Sequence, residues 1–579
     1  MQVMERKGPT APKDPEKKRP YFFIMQGKGI FGAPQPDGRG IQFIYENDGR
    51  IIDAAKLSGN VTDEEMLENL KSTRGFRKMV HSIGVSVSSR INDEKVKFVM
   101  QMYPRNPGEP ATEITKEFET DGMETTIDLA DVSWVPTDYE IGQIRFEFPE
   151  SGVQAMADVR FYLNDGFTAP PQPMEYAVDF ESDGYKEMIA RSLMKAGNTK
   201  RLEKVLEKAA MGEEVTLSFI GGSITQGAGA IPIHEKSYAR LFANEFEKKF
   251  SKEGKVKLVK AGVGGTPSEL GMIRFERDVL RDGQEQPDLV VIEFAVNDEG
   301  DETKGVCYES LVRKALALPW KPAVILLFAV FSYDWNLQDR LLPVGERYNL
   351  PMVSILNAVT PQFSLLPQDG RVISKNQFFY DVYHPSNLGH QVMCDSLLYV
   401  LDEVNAGRIG SNEEEKPVEE IAPVLGKDFE KVILLDRKEM PLLKSRFGIT
   451  LFEMGAFSDI DKDLQKVEMD SEITQVPEFP YNWAHLDDSQ GDDPFRLKLS
   501  CKKLLLVFKD SGLPTAGTAE VFVDGKKVMD ADPLKTGWTH CNPVIILNEE
   551  ETKEHEVEIR MAKDMEGKKF TILGFGVVK

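Results

Sequence analysis

The sequence lacks most of what would mark a secreted, metal-bound, membrane-embedded or nucleic-acid-binding chain. It has four cysteines in 579 residues, Cys307, Cys394, Cys501 and Cys541. They stand far apart, with no CxxC pair and no His/Cys cluster at metal-ligand spacing. Neither a disulfide framework nor a structural zinc site is indicated. The longest apolar run, near Ala323–Phe331, is too short to span a bilayer and reads as a buried strand. The first twenty residues, MQVMERKGPTAPKDPEKKRP, hold no apolar core of signal-peptide length. They read as a flexible polar tail, and the cytoplasm is the expected compartment. Basic residues are in deficit: 71 Lys and Arg against 94 Asp and Glu give a formal net charge of −23. That balance argues against nucleic acid and against an anionic membrane surface as partners. It would not repel a neutral substrate such as an acylated sugar. The acidic residues are spread along the chain and read as a solvated surface, and nothing in the composition bears on oligomeric state.

A chain of this length exceeds one hydrophobic core, and about two to four domains are expected. After the tail, a β-rich domain over 21–190 is predicted from segments that alternate polar and apolar side chains, Glu94–Tyr103, Gln143–Phe148 and Ala157–Leu163. One helix-like stretch interrupts it, Thr62–Lys71, opening on a Thr-Asp-Glu-Glu cap signal. The pattern changes at Asn198, a candidate N-cap for a helix over Thr199–Met211. From there short apolar strands (Val215–Ile220, Val256–Val259, Leu289–Phe294, Ala323–Phe328, Met352–Ile355) alternate with amphipathic helices near Ser237–Phe250, Ser268–Arg281, Tyr308–Leu318, Trp335–Tyr348 and Ser386–Leu401. Continuous apolar strands separated by helices imply a parallel sheet covered on both faces, an α/β domain over 191–408. An acidic, proline-containing stretch reads as a linker at 409–425. Beyond it, 426–579 reads as a second β-sandwich, with strands at Lys502–Phe508, Ala519–Val523, Pro543–Leu547, His555–Met561 and Phe570–Phe575. A hairpin signal lies in Val523-Asp524-Gly525-Lys526.

Three segments of the α/β region fall at strand ends or just before a helix, where open α/β sheets bind ligands. Phe219-Ile220-Gly221-Gly222-Ser223-Ile224-Thr225-Gln226-Gly227 surrounds a serine with small residues, allowing a tight turn and close approach of a carbonyl. Gly-Gly-Ser also marks ordinary strand-to-loop turns. The segment is not a G-x-S-x-G elbow, because Thr225 replaces the last glycine, and it carries neither GxGxxG nor GK[ST]. Ile292-Glu293-Phe294-Ala295-Val296-Asn297-Asp298 places an Asn amide at a strand end, where it can face an oxyanion or simply close an Asx turn. In Tyr380-Asp381-Val382-Tyr383-His384-Pro385, Asp381 is close enough to hold one imidazole nitrogen of His384 and leave the other as base. A helix-entry hydrogen bond is the plainer role for such a His.

Taken together and in this order, GGSIT, FAVND and DVYHP resemble the blocks of the SGNH (GDSL-like) hydrolase superfamily, over about Arg201–Glu403. The resemblance implies a flavodoxin-like α/β fold and metal-free, cofactor-free ester hydrolysis. Ser223 would be the nucleophile, His384 the general base and Asp381 its orienting partner. Ala261-Gly262-Val263-Gly264-Gly265-Thr266 looks like the family's glycine block. The oxyanion hole would then be the Ser223 amide, Gly265 and Asn297, with Gly264 as the alternative register. Two departures stand out, GGS for GDS and Ala295 for the glycine of GxND. The first resembles the GGSIT branch of carbohydrate esterases, such as acetyl xylan esterases. The extra methyl of the second would narrow a pocket suited to acetyl groups. The implied substrate is an O-acetylated plant oligosaccharide, a xylan or mannan fragment. The alternatives are a short-chain lipid or thioester hydrolase with the same triad, and a non-catalytic carbohydrate-binding protein. Among other residues, Trp335, Trp538 and His540 are candidate sugar contacts, although a buried Trp is the commoner fate. Glu293 interrupts an apolar strand and needs partners if buried, and His390 falls inside a helix, where a structural role is expected.

Overall fold

The computed structural model describes residues 19–46, 50–89, 95–172, 174–410, 414–470, 472–489, 491 and 493–579. All but the last two residues of the polar tail lie outside the described residues. The chain divides into two compact units, Met1–Tyr176 and Ala177–Lys579.

The first unit contains two antiparallel sheets. One has four strands, in the order Tyr21–Phe31, Gln154–Leu163, Val80–Ser89, Thr125–Asp128. The other has five, in the order Ala33–Pro34, Gly40–Glu46, Asp138–Phe148, Lys95–Pro104, Glu113–Glu119. Alternation decides what is inside: in Gln154–Leu163, Ala155, Ala157, Val159, Phe161 and Leu163 are buried. They share one core with Phe98 and Phe146 of the second sheet and Phe76 of the helix Thr73–Met79. The predicted helix Thr62–Lys71 is a shorter one, Glu64–Asn69, whose N-cap Asp63 accepts from the Met66 amide.

In the second unit six strands form one sheet: β1 (Leu193–Lys195), β2 (Val215–Gly221), β3 (Val256–Gly262), β4 (Leu289–Glu293), β5 (Ala323–Phe328) and β6 (Met352–Ser354), in the order β1-β6-β5-β4-β2-β3. β2 to β6 are parallel, and β1 runs antiparallel against β6. Every residue of β2, β4 and β5 is buried. Successive side chains point to opposite faces, so both faces of the sheet are covered. The chain starts its parallel sheet at β2, moves to one side for β3 and then to the other for β4. The direction of strand addition thus reverses at β2, and open α/β sheets bind their ligands outside the carboxyl ends of the strands at such a reversal.

The helices that matter for the site are α1 (Lys200–Ala210), α2 (Ser223–Gln226), α3 (Tyr238–Phe250), α4 (Ser268–Ile273), α5 (Val306–Leu316), α6 (Gln338–Arg347) and α7 (Asn387–Asn405). The N-cap position of α1 is Thr199 rather than Asn198, although the Asn198 side chain accepts from the Lys200 amide at 3.1 Å. The single helix expected over Ser268–Arg281 breaks at Arg274, with Phe275–Asp278 following as a separate turn. Its cause is visible in the contacts of the buried Arg274 guanidinium. It donates to Ala261 O at 2.7 Å and Gly221 O at 2.9 Å, and so clamps the ends of β3 and β2 together.

The C-terminal part forms an eight-stranded antiparallel sheet around the long strands Phe495–Asp510, His540–Met561 and Phe570–Val578. The two strands expected at Pro543–Leu547 and His555–Met561 are one continuous strand. The expected hairpin joins Ala519–Val523 to Lys526–Ala531, with both turn residues at positive φ, 51° at Asp524 and 76° at Gly525. The run Leu504–Phe508 is apolar throughout because both of its faces are buried. Leu504, Leu506 and Phe508 enter a core of the β-sheet itself, while Leu505 and Val507 join the core of the α/β domain. The C-terminal sheet is therefore packed directly onto the α/β domain. The end of the linker and the residue after it are bound there as well: Glu309 of α5 accepts the amides of Val424, Leu425 and Gly426. Among the described residues no helix is long and apolar enough to cross a membrane.

Candidate active site

Ser223 is the first residue of α2, immediately after β2. The turn that lifts it out of the sheet leaves no room for side chains before it. A Cβ on Gly221 would lie 2.1 Å from Thr225 Oγ1, and one on Gly222 would lie 2.2 Å from Asn297 Oδ1. Ser223 Oγ is 3.0 Å from His384 Nε2, and His384 Nδ1 is 3.0 and 2.9 Å from the two oxygens of Asp381. Since Asp381 can only accept, Nδ1 carries the proton, and Nε2 is left to accept from the serine hydroxyl. Asp381 Oδ1 also takes the backbone amides of Tyr383 and His384, both at 2.8 Å. Burial alone would raise the Asp381 carboxyl, but the facing imidazole and these two amides hold it below its ordinary value. Ser386 caps α7 directly behind His384, accepting from Leu388 and Gly389.

The three expected oxyanion groups come from the ends of β2, β3 and β4. Among the described residues, the amides of Ser223 and Gly265 and the side-chain nitrogen of Asn297 donate to no intramolecular acceptor. The Gly264 amide, by contrast, is taken by Gln226 Oε1 at 2.8 Å. Gly265 has φ +70° and is exposed, and its missing side chain leaves space filled by Trp538. A Cβ there would sit 2.7 Å from Trp538 Cζ2. Ala295 is wholly buried in the core of the α/β domain, so its methyl lines no accessible pocket. The narrowing expected from it does not occur.

Beneath the serine turn, Glu293 ends β4 wholly buried. Thr225 Oγ1 is 3.1 Å from its Oε2, while Oε1 has no partner. Burial dominates and pushes Glu293 up to about 8, against the lowering pull of Thr225 and the Gly222 amide. Asp298, held by the Ser268 amide and hydroxyl at 2.8 and 2.7 Å, is lifted by burial to about 7. His390 accepts the Tyr238 amide at Nδ1 and faces Ala228 O through Nε2, and burial lowers it to about 3. It is a neutral structural link between α7, α3 and the loop after Ser223.

Trp335 and Trp538 belong to different groups, the first tied to the loop carrying His384 and the second beside Gly265. Trp335 stacks on Phe331 with ring centres 6.0 Å apart, Phe331 packs edge-on to Tyr383, and the Ser332 amide donates to Val382 O. An aromatic group is thus tied to the loop carrying His384, with Tyr333 and Tyr383 at its surface, 56% and 43% exposed. Trp538 is 43% exposed and lies outside the core of its own domain. It packs at 4.8 Å against His540, which is itself buried, with Nε2 3.0 Å from Gly265 O and Nδ1 2.9 Å from Asp510. Sequence reasoning missed Gln226, Gln465 and Asp510. Gln226 stands three residues after Ser223 in the motif and was within reach. Gln465 and Asp510 carry no local signal.

Residues 219–392 match the model of the GDSL-like Lipase/Acylhydrolase family. Among solved structures, a two-domain esterase (CEX) active on acetylated mannans is 27% identical, with a TM-score of 0.55, and the match covers 68% of this chain and 99% of that one. A structure of such an esterase co-crystallized with mannopentaose matches at the same identity and TM-score, covering 70% and 99%. No curated protein matches the sequence. The order of the strands, its reversal at β2 and the esterase likeness agree with the family match: residues 219–392 are a domain of the GDSL-like lipase/acylhydrolase family, and the chain is a carboxylic ester hydrolase.

Proposed function

We propose that the chain removes O-acetyl groups from plant-derived oligosaccharides by a Ser-His-Asp mechanism, and that acetylated mannan fragments are its preferred substrates over acetylated xylan. The observation that carries this reading is the 3.0 Å approach of His384 Nε2 to Ser223 Oγ, with Asp381 on the other imidazole nitrogen. His384 takes the hydroxyl proton as Oγ attacks the ester carbonyl. The oxyanion is met by the Ser223 amide, the Gly265 amide and Asn297 Nδ2. We choose Gly265 over Gly264 because the Gly264 amide is already engaged by Gln226. Collapse expels the sugar oxygen, which receives its proton from His384, and leaves an acetyl ester on Ser223. Water, deprotonated by the same imidazole, then releases acetate.

The mannan preference rests on likeness to the esterase active on acetylated mannans. Trp538 beside Gly265, and Tyr333, Trp335 and Tyr383 by the His384 loop, offer faces on which sugar rings stack. We read the β-rich regions on either side as sandwich domains, and the cytoplasm as the compartment, the latter on four buried free cysteines. The test is acetate release from acetylated manno-, xylo- and chito-oligosaccharides, followed by mass. Deacetylation of mannan fragments ahead of the others is expected. A preference for xylan fragments would shift the substrate, and release from none of them would overturn the carbohydrate reading.

A further inference from the structure

The C-terminal β-domain grips the loop after β3 at two consecutive carbonyls. Gln465 Nε2 donates to Gly264 O at 2.8 Å, and His540 Nε2 lies 3.0 Å from Gly265 O. Both side chains are buried, and both are held from behind. Gln465 Oε1 accepts the Cys541 amide at 3.0 Å. His540 Nδ1 meets Asp510 Oδ2, and the Asp510 carboxylate also accepts from Thr536 at 2.7 Å and Asn542 at 3.2 Å. From the α/β side Gln226 holds the Gly264 amide, and Thr266 closes back onto Val263 O. In this stretch, among the described residues, the Gly265 amide is left without an intramolecular acceptor. Its own peptide unit is the one whose carbonyl Gln465 occupies.

A glycine at φ +70° has no side chain to lock it, so its peptide planes must be fixed from outside. A hydrogen bond donated to the Gly264 carbonyl fixes the plane that bears the Gly265 amide and polarises that N–H further. Asp510 and the Gly265 carbonyl both only accept, so His540 bonds to both when each of its ring nitrogens carries a proton, and in that form it fixes the next plane. Oxyanion donors work by being oriented before charge develops, and a donor that must reorganise loses most of its value. We propose that Gln465 and the His540–Asp510 pair are positioning residues for the Gly265 amide, so that the C-terminal β-domain supports the chemical step on any ester, including one with no sugar. The inference rests on the reading of Gly265 as an oxyanion donor.

Three full-length variants test it. Gln465→Met keeps length and removes the donor, His540→Phe removes the imidazole donor, and His540→Gln retains an N–H near the Nε2 position. The readouts are kcat and KM on 4-nitrophenyl acetate, inhibition by phenylboronic acid, and a melting curve. The boronate forms a tetrahedral adduct with Ser223 and puts an oxygen where the oxyanion would sit. Gln465→Met and His540→Phe should lower kcat by about tenfold to a hundredfold, less than the ~10²–10³ of losing an oxyanion donor outright. KM should hold, boronate affinity should fall in step with kcat, and His540→Gln should recover most of the loss. Folded variants with wild-type kcat, or a kcat loss with unchanged boronate affinity, would overturn the proposal. If Gln465→Met does not fold, the His540→Phe and His540→Gln pair decides by whether the amide restores kcat and boronate affinity together. Ser223→Ala separates the two failures. If it retains turnover, the underlying reading falls. If it is inactive while the positioning variants turn over normally, only this inference falls.

Discussion

In the α/β domain the groups proposed to react come from short segments, Ser223 after β2, Gly265 after β3, Asn297 after β4, and Asp381 with His384 just before α7. In the C-terminal β-domain the groups that touch the same loop are remote in sequence, His540 lying 275 positions from Gly265 and Gln465 lying 201 from Gly264. In the proposed mechanism the first region supplies the nucleophile, the base and the oxyanion donors. The second presents buried side chains to the backbone carbonyls of Gly264 and Gly265. Strand ends at a topological switch can supply chemistry with few residues. The loop after β3 is glycine-rich, and the C-terminal domain contacts two of its carbonyls.

The largest effect should come from the α/β side. Ser223→Ala is expected to lower kcat on 4-nitrophenyl acetate by on the order of 10³-fold or more while the melting curve stays put, since a triad acts as a unit. Near-normal turnover in a folded variant would break the division of labour at its first member. Next comes Gly222→Ala. Its new methyl would lie 2.2 Å from Asn297 Oδ1 and 2.8 Å from Nδ2, so the amide must move. A loss of about 10²–10³-fold in kcat is expected, the usual cost of one oxyanion donor. Asn297→Ala should lose a similar amount, and the double variant little more than either single one. Additive losses would mean that Gly222 matters for some reason other than Asn297.

The same contrast explains what was legible in the sequence. GGSIT, FAVND and DVYHP could be read because each is a local pattern on a strand-helix alternation, and β5 and Ala519–Val523 are found at the residues the apolar pattern marks. The break at Arg274 could not be read, because it serves carbonyls at Gly221 and Ala261 that meet the arginine only after β2 and β3 pair. β1 is three residues long with no alternation and was missed. The strand His540–Met561 was split in two because its middle, Asn548–Glu554, is polar. Leu504–Phe508 reads as a strand from its own residues, but that one of its faces belongs to another domain's core does not. Ala295 misled in the opposite way: its position in the motif pointed to the pocket, while its methyl points into the core.

Glu293 sharpens the comparison from beneath the site. Its folded-state value of about 8 stands above the ordinary carboxyl value of 4.5, so the folded protein binds this proton more tightly than the unfolded chain does. Its contribution is complete below pH 4.5, declines as pH rises, and is lost by the time pH passes 8. Asp298, at about 7, and Glu269, at about 9, act with the same sign. Thermal stability should therefore fall between pH 6 and pH 9. Glu293→Gln, which carries no charge to bury, should soften that fall by on the order of a few kcal/mol at the alkaline end. Parallel melting curves for both proteins across this range would show that Glu293 is already ionised in the fold.

Trp538 should give the smallest change, and it asks whether the C-terminal domain has a second role beyond holding the loop. Its indole is 43% exposed, lies outside the core of its own sheet and covers the face of Gly265. If it stacks on a sugar ring, Trp538→Ala should lower kcat/KM on acetylated mannooligosaccharide by about tenfold, the order of one aromatic contact. Turnover of 4-nitrophenyl acetate, which has no sugar to stack, should stay within about twofold of wild type, because binding a remote ring affects only substrates that carry one. If the indole serves instead to press the Gly265 loop into place, both substrates should lose activity alike, and boronate affinity should fall with them. That result would assign Trp538 to the same group as Gln465 and His540. Equal loss on both substrates with a lowered melting temperature and unchanged boronate affinity would leave it as packing alone. The two substrates, the boronate and the melting curve together decide among these roles in one variant.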